Sequence, residues 1–411
     1  MYLKLPSCRN CNNKKLDQLF SLGKLSFTGK FAKNKSESIP RAEITLVKCK
    51  SCNLVQLSKN FNPKYLYGKD YGYRSGINKT MTDHLASTAK LLSKKTKIKR
   101  GDYVLDIASN DGTLLHKYKN DLVKVGVDPI LNKFKHFYKS IDYPINDFFS
   151  YKVIQKNKIK NKFKIITALS VFYDLKKPNN FLRDVKKIID EKNGIFLLEF
   201  ADLLSIIKYK LFDTICHEHL EYYSAKVIID MVNNNGLKVF DIHTNKINGG
   251  SIRFFISDNH AKYKINKKNI DKYLNEEKKY KLEKISTYKK FFKKINNLKI
   301  KLNKIINKIR LEDKTIHGYG ASTKGNVLLQ YFNISNNQIP YIADRNPEKN
   351  NHYTPGTKIK VITEKISRNL KPDYYLVLPW HFKDEILKRE KKIIKNGTKF
   401  IFPLPMIKVI D

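Results

Sequence analysis

The sequence predicts an α/β protein headed by a small cysteine-rich domain, and three observations carry that reading. Two CxxC pairs lie within the first 52 residues. Two later stretches each run strand, tight turn, helix, strand, and close on an aspartate. A hydrophobic fraction of 41% with 12% aromatic residues is enough to pack cores under them. At 411 residues the chain has room for two or three domains, which we place at 1–70, 71–255 and 256–411.

The first element is the cysteine cluster. "CRNC" supplies Cys8 and Cys11, "CKSC" supplies Cys49 and Cys52, and 37 residues separate the pairs. This is zinc-ribbon spacing, in which each pair forms a knuckle and four thiolates close a tetrahedral site. A redox CxxC stands alone near a strand-to-helix turn, so the duplicated pair predicts one structural Zn2+ without an open coordination position. The fifth cysteine, Cys216, is too distant along the chain to join it by spacing.

The central element begins at "GDYVLDIASNDGTLLHKY". An apolar strand over 103–107 enters a short turn, a helix is expected from near Gly112, and a second strand, "LVKVGVDPI", ends at Asp128. That is the layout of a nucleotide-binding βαβ unit. The loop has one glycine where a dinucleotide fingerprint has three, and it carries two acids. Asp106 and Asp111 would repel a pyrophosphate but suit S-adenosylmethionine, which has an ammonium, a sulfonium and no phosphate. Asp128 is placed for the ribose hydroxyls. Candidate cofactor contacts are therefore Asp106, Ala108, Asn110, Asp111 and Asp128, together with Ser170 on the next strand's loop. "FKIITALSVFYDL" and "GIFLLEF" supply further strands, with Ser170 after the first and Glu199 near the carboxyl edge of the second.

The stretch "DTICHEHLEYYS", residues 213–224, concentrates two histidines, two glutamates and two tyrosines around Cys216. His217 and His219 could chelate a metal from a strand, but no third ligand stands at suitable spacing. They could equally be polar residues satisfied at a domain junction. Beyond it, 263–312 is lysine-rich with apolar residues at helical intervals, which predicts one or two amphipathic helices. "KTIHGYGASTKGNVLLQYF" then reads as strand, Gly-rich turn and helix. "IPYIADRNPEKN" reads as a strand ending in Asp344, and "YYLVLPWHF" as another.

The formal net charge of +43 is misleading by itself. Of 81 basic residues only 10 are arginine, and lysine with abundant asparagine and isoleucine is what an AT-rich genome favours. Nucleic-acid readers often use arginine for bidentate contacts, so we do not expect nucleic acid as the partner. No run of 18 apolar residues occurs, so no membrane span is expected. The start "MYLKLPSCRN" has no apolar signal core, which predicts a cytoplasmic protein.

Taken in order, the two CxxC pairs, "YGYRSGINKTMTDHL", "VLDIASNDGTLL", "DTICHEHLEYYS", "GGSIRFF", "HGYGASTKGNVLL", "IADRNPEKNNHYTPG" and "VLPWHF" resemble the sugar C-methyltransferase family. The resemblance spans nearly the whole chain. It implies a zinc-binding domain, a central Rossmann-like methyltransferase domain and a C-terminal Rossmann-like domain that helps hold a nucleotide-linked keto-deoxysugar of thymidine- or guanosine-diphosphate type. It further implies His219 as general base, Glu218 as a sugar contact or orienter of that base, and Tyr71 or Tyr73 over the reaction centre. His217 is a further catalytic candidate or a brace for the loop. Substrate contacts are expected from Tyr222, Thr323, Lys324, Arg345 and His381, in a monomer or dimer. The chain departs from the family pattern at Cys216, where some relatives have tyrosine, at Ser170, where asparagine is usual, and at Asp174, where histidine is usual.

The chemistry is consistent with these residues. Methylating carbon requires a carbon nucleophile, which in a sugar is most accessible beside a ketone. A base with a pKa near neutrality and a partner for the growing oxygen charge then suffice. The expected reaction is C3 methylation of a 4-keto deoxysugar. Methyl transfer to a sugar oxygen or nitrogen is one alternative, and a zinc-ribbon RNA-binding or RNA-modifying protein is the other.

Overall fold

The computed structural model describes residues 2–66 and 73–411. Its N-terminal sheet is antiparallel, with strands in the order Glu221–Tyr222, Val55–Leu57, Arg41–Cys49 and Leu16–Ser26. The first of these comes from the strap after the HEH triplet, so the cysteine-rich unit borrows its edge strand from far along the chain. Asn12 and Asn53 each follow the second cysteine of a knuckle with φ near +60°. Asparagine tolerates that conformation, and both amides turn back to the carbonyl of the first cysteine.

The central sheet has seven strands, in the order Leu237–Asn245, Ser251–Asp258, Ile195–Phe200, Phe163–Leu169, Tyr103–Ile107, Val123–Val127 and Tyr143–Ile145. The last five are parallel, and Ser251–Asp258 runs against both its neighbours. Ile195–Phe200 is buried throughout, as a parallel strand covered on both faces requires. Chain order reverses between Tyr103–Ile107 and its neighbour Phe163–Leu169, which opens a crevice at their carboxyl ends. Helix Lys79–Thr96 covers the sheet with Met81, Leu85, Ala89 and Leu92 turned inward.

One element departs from expectation. No helix starts at Gly112; Leu115–Lys117 is only a 3₁₀ turn. Gly112 sits at φ +72°, and Asp111 accepts bonds from both the amide and the hydroxyl of Thr113. The chain is held in a turn where a helix would have begun.

The lysine-rich segment forms two helices, Lys267–Tyr280 and Ile285–Leu311. The second buries Tyr288, Phe291, Ile295, Leu298, Leu302, Ile306 and Ile309, a stripe at three- and four-residue spacing. Its lysines are left on the outer face. The C-terminal sheet follows, ordered Lys360–Thr363, Tyr341–Asp344, Ile316–Tyr319, Tyr374–Val377, Lys399–Phe402 and Lys408–Ile410. Only the last strand is antiparallel. Here too the order reverses beside the first strand, so the carboxyl edges of both parallel sheets open on one cavity of about 630 Å³. No helix among the described residues is long and apolar enough to cross a membrane.

Candidate functional site

The four expected cysteines converge, their sulfurs all within 4.8 Å of one another. Cys8 and Cys52 are 3.5 Å apart, as are Cys11 and Cys49. A tetrahedron with Zn–S bonds of about 2.3 Å spaces its sulfurs about 3.8 Å apart, so the donor set fits zinc and closes around it. Between Cys8 and Cys11, the buried Arg9 turns away from the metal pocket. It donates to Gln56 Oε1, to the carbonyls of Leu57, Lys59 and Leu220, and to Asn60, and lies 3.5 Å from Glu221 Oε1. The zinc knuckle is thereby tied to the segment that follows His219.

At the central end of the cavity, Asp106 is the penultimate residue of strand Tyr103–Ile107. Burial pushes its carboxyl up to about 7, despite the bond it accepts from Thr167 Oγ1 at 2.6 Å, and the nearby charges of Asp128 and Asp111 add to the rise. Such a carboxylate favours a cationic ligand. Asp128 accepts the amides of Asn110 (2.9 Å) and Ile130 (2.8 Å), and burial raises its carboxyl as well. Ala108, Asn110 and Ser170 all line this end with φ between +52° and +59°. Three non-glycine residues held in the left-handed region around one crevice are a mark of a functional loop.

Asp111 is different. Its carboxylate takes Arg74 Nε at 3.1 Å, the Gly76 amide at 3.0 Å and Thr113, and it does not line the cavity. It clamps the Arg74–Gly76 segment over the loop, which corrects its assignment as a direct cofactor contact. Asn110 helps by accepting the Ser75 amide and donating to the Tyr73 carbonyl.

The strap splits its two histidines. His219 Nδ1 lies 2.6 Å from the Thr214 carbonyl. A carbonyl only accepts, so Nδ1 carries the hydrogen, and the neutral ring keeps its lone pair on Nε2. The ring packs at 4.1 Å against Tyr173, tilted by 51°, and lines the cavity. Desolvation pulls it down to about 3, against the Thr214 bond and with a contribution from the Lys324 charge. His217 is fully buried, donates from Nε2 to the Ala42 carbonyl at 3.0 Å, and sits between the Phe27 and Phe61 rings. It faces the N-terminal unit and not the cavity, which corrects its assignment as a catalytic candidate and leaves it as a brace. Alternation along an extended strap sends neighbours two apart to one face only if the strap is straight; the turn at 215–219 breaks that rule.

Glu218 reaches the cavity from between them. Burial raises its carboxyl, Oε2 accepts from Thr28 Oγ1 at 3.2 Å, and a side chain at Gly29 would come within 3.0 Å of Oε1. Tyr222 is buried in the edge strand against Val55 and is not part of the cavity wall. Its assignment to substrate is corrected: pairing with the N-terminal sheet points it away. Tyr73 stands half-exposed at the cavity mouth; Tyr71 lies outside the described residues.

The opposite wall is C-terminal. Thr323, Lys324, Arg345 and His381 all line it. Gly320, at φ +80°, passes so close to Pro379 that a Cβ would sit 2.5 Å from its ring. Several wall residues were not among the candidates named from the sequence. Gly29 and Phe31 enter from the N-terminal unit, and His84 from the first long helix. Glu199 was expected at a ligand edge; it is taken up by His84 (2.6 Å) and Arg253, which outweigh burial and hold its carboxyl below the usual range.

Comparison with known proteins matches the chain in three consecutive stretches: a zinc binding domain over residues 8–67, a methyltransferase domain over 77–242 and the C-methyltransferase C-terminal domain over 246–405. The C-methyltransferase NovU of Streptomyces niveus is 26% identical over 99% of this chain and 97% of its own. Among solved structures, an S-adenosylmethionine-dependent methyltransferase from Clostridium acetobutylicum overlaps 43% of this chain and 91% of its own at 12% identity, with a TM-score of 0.35. Magnesium protoporphyrin IX methyltransferase from Synechocystis with bound S-adenosylmethionine overlaps 43% and 77% at 11% identity, with a TM-score of 0.32. With a four-cysteine zinc site, an adenosylmethionine-type crevice and the three family domains in order along one chain, the protein belongs to the zinc-containing, S-adenosylmethionine-dependent C-methyltransferases.

Proposed function

We propose that the enzyme methylates C3 of a nucleotide-linked 4-keto deoxysugar, with His219 as the base that removes the C3 proton. The observation that carries this is the placement of His219. Its Nδ1 is committed to the Thr214 carbonyl, which directs the free Nε2 lone pair into a cavity walled by the cofactor crevice on one side and the C-terminal loop on the other. S-adenosylmethionine supplies an electrophilic methyl when bound. The protein's own contribution is to desolvate His219 so that it stays neutral, to hold the ring against Tyr173, and to shape the space between the two Rossmann-like units. Asp106 holds the cofactor's ammonium, and Asp128 its ribose. Arg345, with the amides near Thr323, faces the diphosphate. Glu218, its carboxyl raised by burial, donates a hydrogen bond to a sugar oxygen. Domain limits near 70 and 255 are our reading of the same organisation.

The product is a branched sugar, of use in a surface polysaccharide or a secondary metabolite. The test is mass spectrometry of the enzyme with S-adenosylmethionine and a panel of thymidine- and guanosine-diphosphate 4-keto-6-deoxysugars, repeated in heavy water. One added methyl, dependent on the ketone, supports the reading. Methyl gain that persists after reduction of the ketone to an alcohol would replace it with O-methylation. His219→Ala should keep cofactor affinity and lose turnover by about 10²–10⁴-fold, the range of general base catalysis.

A further inference from the structure

We propose that Lys324 is the cation that faces the substrate's keto oxygen and stabilises the enolate, a catalytic role in place of a diphosphate contact. The inference rests on the C-methylation reading above. Lys324 is the second residue of helix Thr323–Phe332, capped by Ser322 Oγ. Its side chain runs from the C-terminal unit back across the cavity, where Nζ donates to the Asn248 carbonyl at 2.9 Å in the turn before Ser251–Asp258. That turn is fixed in place: a Cβ on Gly249 would lie 2.4 Å from the Trp380 ring. The ammonium is thus anchored from both sides of the junction.

Its surroundings point to an anion that the protein does not supply. Among the described residues no carboxylate forms an ion pair with Lys324. Asp213 acts on it only from beyond ion-pair distance: its Oδ2 accepts the Trp380 indole N–H at 2.8 Å, its Oδ1 has no hydrogen-bond partner, and burial raises its carboxyl. A desolvated ammonium without a counter-ion is costly, and burial accordingly holds Lys324 below the usual lysine range. Besides Asp213, the groups that feel its charge are two histidines, His219 on the strap and His381 at the tip after Tyr374–Val377. Both are neutral imidazoles, and His219 is the proposed base. Lys324 shares the cavity wall with that base and its charge reaches it, on the side where charge appears in the reaction.

The C3–H bond breaks and its proton passes to His219 Nε2, while the bond pair moves into C3–C4 and the carbonyl pair onto oxygen, which faces Lys324. The oxygen pair then re-forms the carbonyl, the C3–C4 double-bond pair makes the carbon–methyl bond, and the sulfonium's bond pair stays on sulfur. His219 is a weak base at a pKa of about 3. A cation on the ketone compensates by acidifying the carbon, which explains why the site can tolerate so desolvated a histidine.

The experiment uses the zinc-loaded full chain saturated with S-adenosylhomocysteine, which carries no methyl, and follows exchange of the C3 hydrogen of the 4-keto sugar in heavy water. Lys324→Met should lose about 10²–10³-fold of the exchange rate at saturating sugar, the usual cost of one oxyanion donor. Its affinity for thymidine or guanosine diphosphate should change less than about 3-fold, and Lys324→Arg should recover part of the exchange. Retained exchange with weakened diphosphate binding would overturn the proposal and make Lys324 a phosphate contact. Should Lys324→Met lose S-adenosylhomocysteine binding, Lys324→Gln replaces it, since an amide still donates to Asn248 and the exchange readout is unchanged. No C3 exchange by the wild-type enzyme, with methyl transfer to oxygen intact, would instead remove the C-methylation reading and this role with it.

Discussion

The two Rossmann-like units share a construction and differ in the sign of their loops. In each, the second strand ends in an aspartate that holds the first loop in the same way. Asp128 accepts the amides of Asn110 and Ile130, and Asp344 accepts those of Ala321 and Asn346. In each, strand order reverses beside the first strand. Yet the central unit places Asp106 at the penultimate position of its first strand, where the C-terminal unit has Gly318. After the aspartate comes Pro129 in one and Arg345 in the other, and the C-terminal loop adds Lys324. The cavity between them therefore has an acidic end and a basic end. Topology decides where a loop can present a ligand site; the few charged side chains in it decide the sign of the charge that site favours.

The largest effect should come from erasing the charge at the acidic end. Asp106→Asn removes a charge-assisted bond of about 1.5–3 kcal/mol, so the Kd for S-adenosylmethionine should rise about 10–150-fold by calorimetry. Nucleotide affinity should hold, and a parallel loss of both would break the comparison. The pH dependence sharpens it. Asp106 titrates at about 7 in the fold and near 3.8 when unfolded, so the native state binds the extra proton between those values. Without cofactor, its contribution makes stability fall as pH rises from about 4 to 7. Cofactor binding needs the ionised form, so affinity should weaken about tenfold per pH unit below 7, and Asp106→Asn should flatten that slope.

At the basic end the expected effect is smaller, because Arg345 is about a third exposed and already shared with Glu385 at 3.4 Å. Arg345→Ala should raise the KM for the nucleotide sugar by about 5–10-fold, corresponding to roughly 1 kcal/mol for a screened pair, with kcat nearly unchanged. The smallest effect is conformational. Ala108 stands at φ +59° where the dinucleotide fingerprint has glycine, and Ala108→Gly relieves about 1 kcal/mol of backbone strain. Chemical denaturation should show a slight stabilisation, against a cofactor affinity that is unchanged or lower because the loop is less preorganised.

Much of this was legible along the chain. The CxxC pairs, the strands around Asp106, Asp128 and Asp344, and the basic helices follow from spacing and periodicity, which are local properties. The misreadings have one cause. His217, Tyr222 and Asp111 look like ligand groups because of their neighbours in sequence, but each is claimed by a partner distant in sequence: the Ala42 carbonyl, the strand at Val55, and Arg74. His84, with Arg253, was missed for the same reason, since nothing near it in sequence announces Glu199.

The sequence by itself determined the zinc ligands, the three-part order, the acidic cofactor loop and the family, because each depends on residue type at short spacing. Only the tertiary structure decided which of two histidines two residues apart lines the cavity and that Lys324 shares that cavity wall with it. It also decided that the zinc knuckle, through Arg9, grips the strap beyond both. Those outcomes depend on which surfaces three packed units present to one another, and a buried polar group goes wherever a partner can pair it.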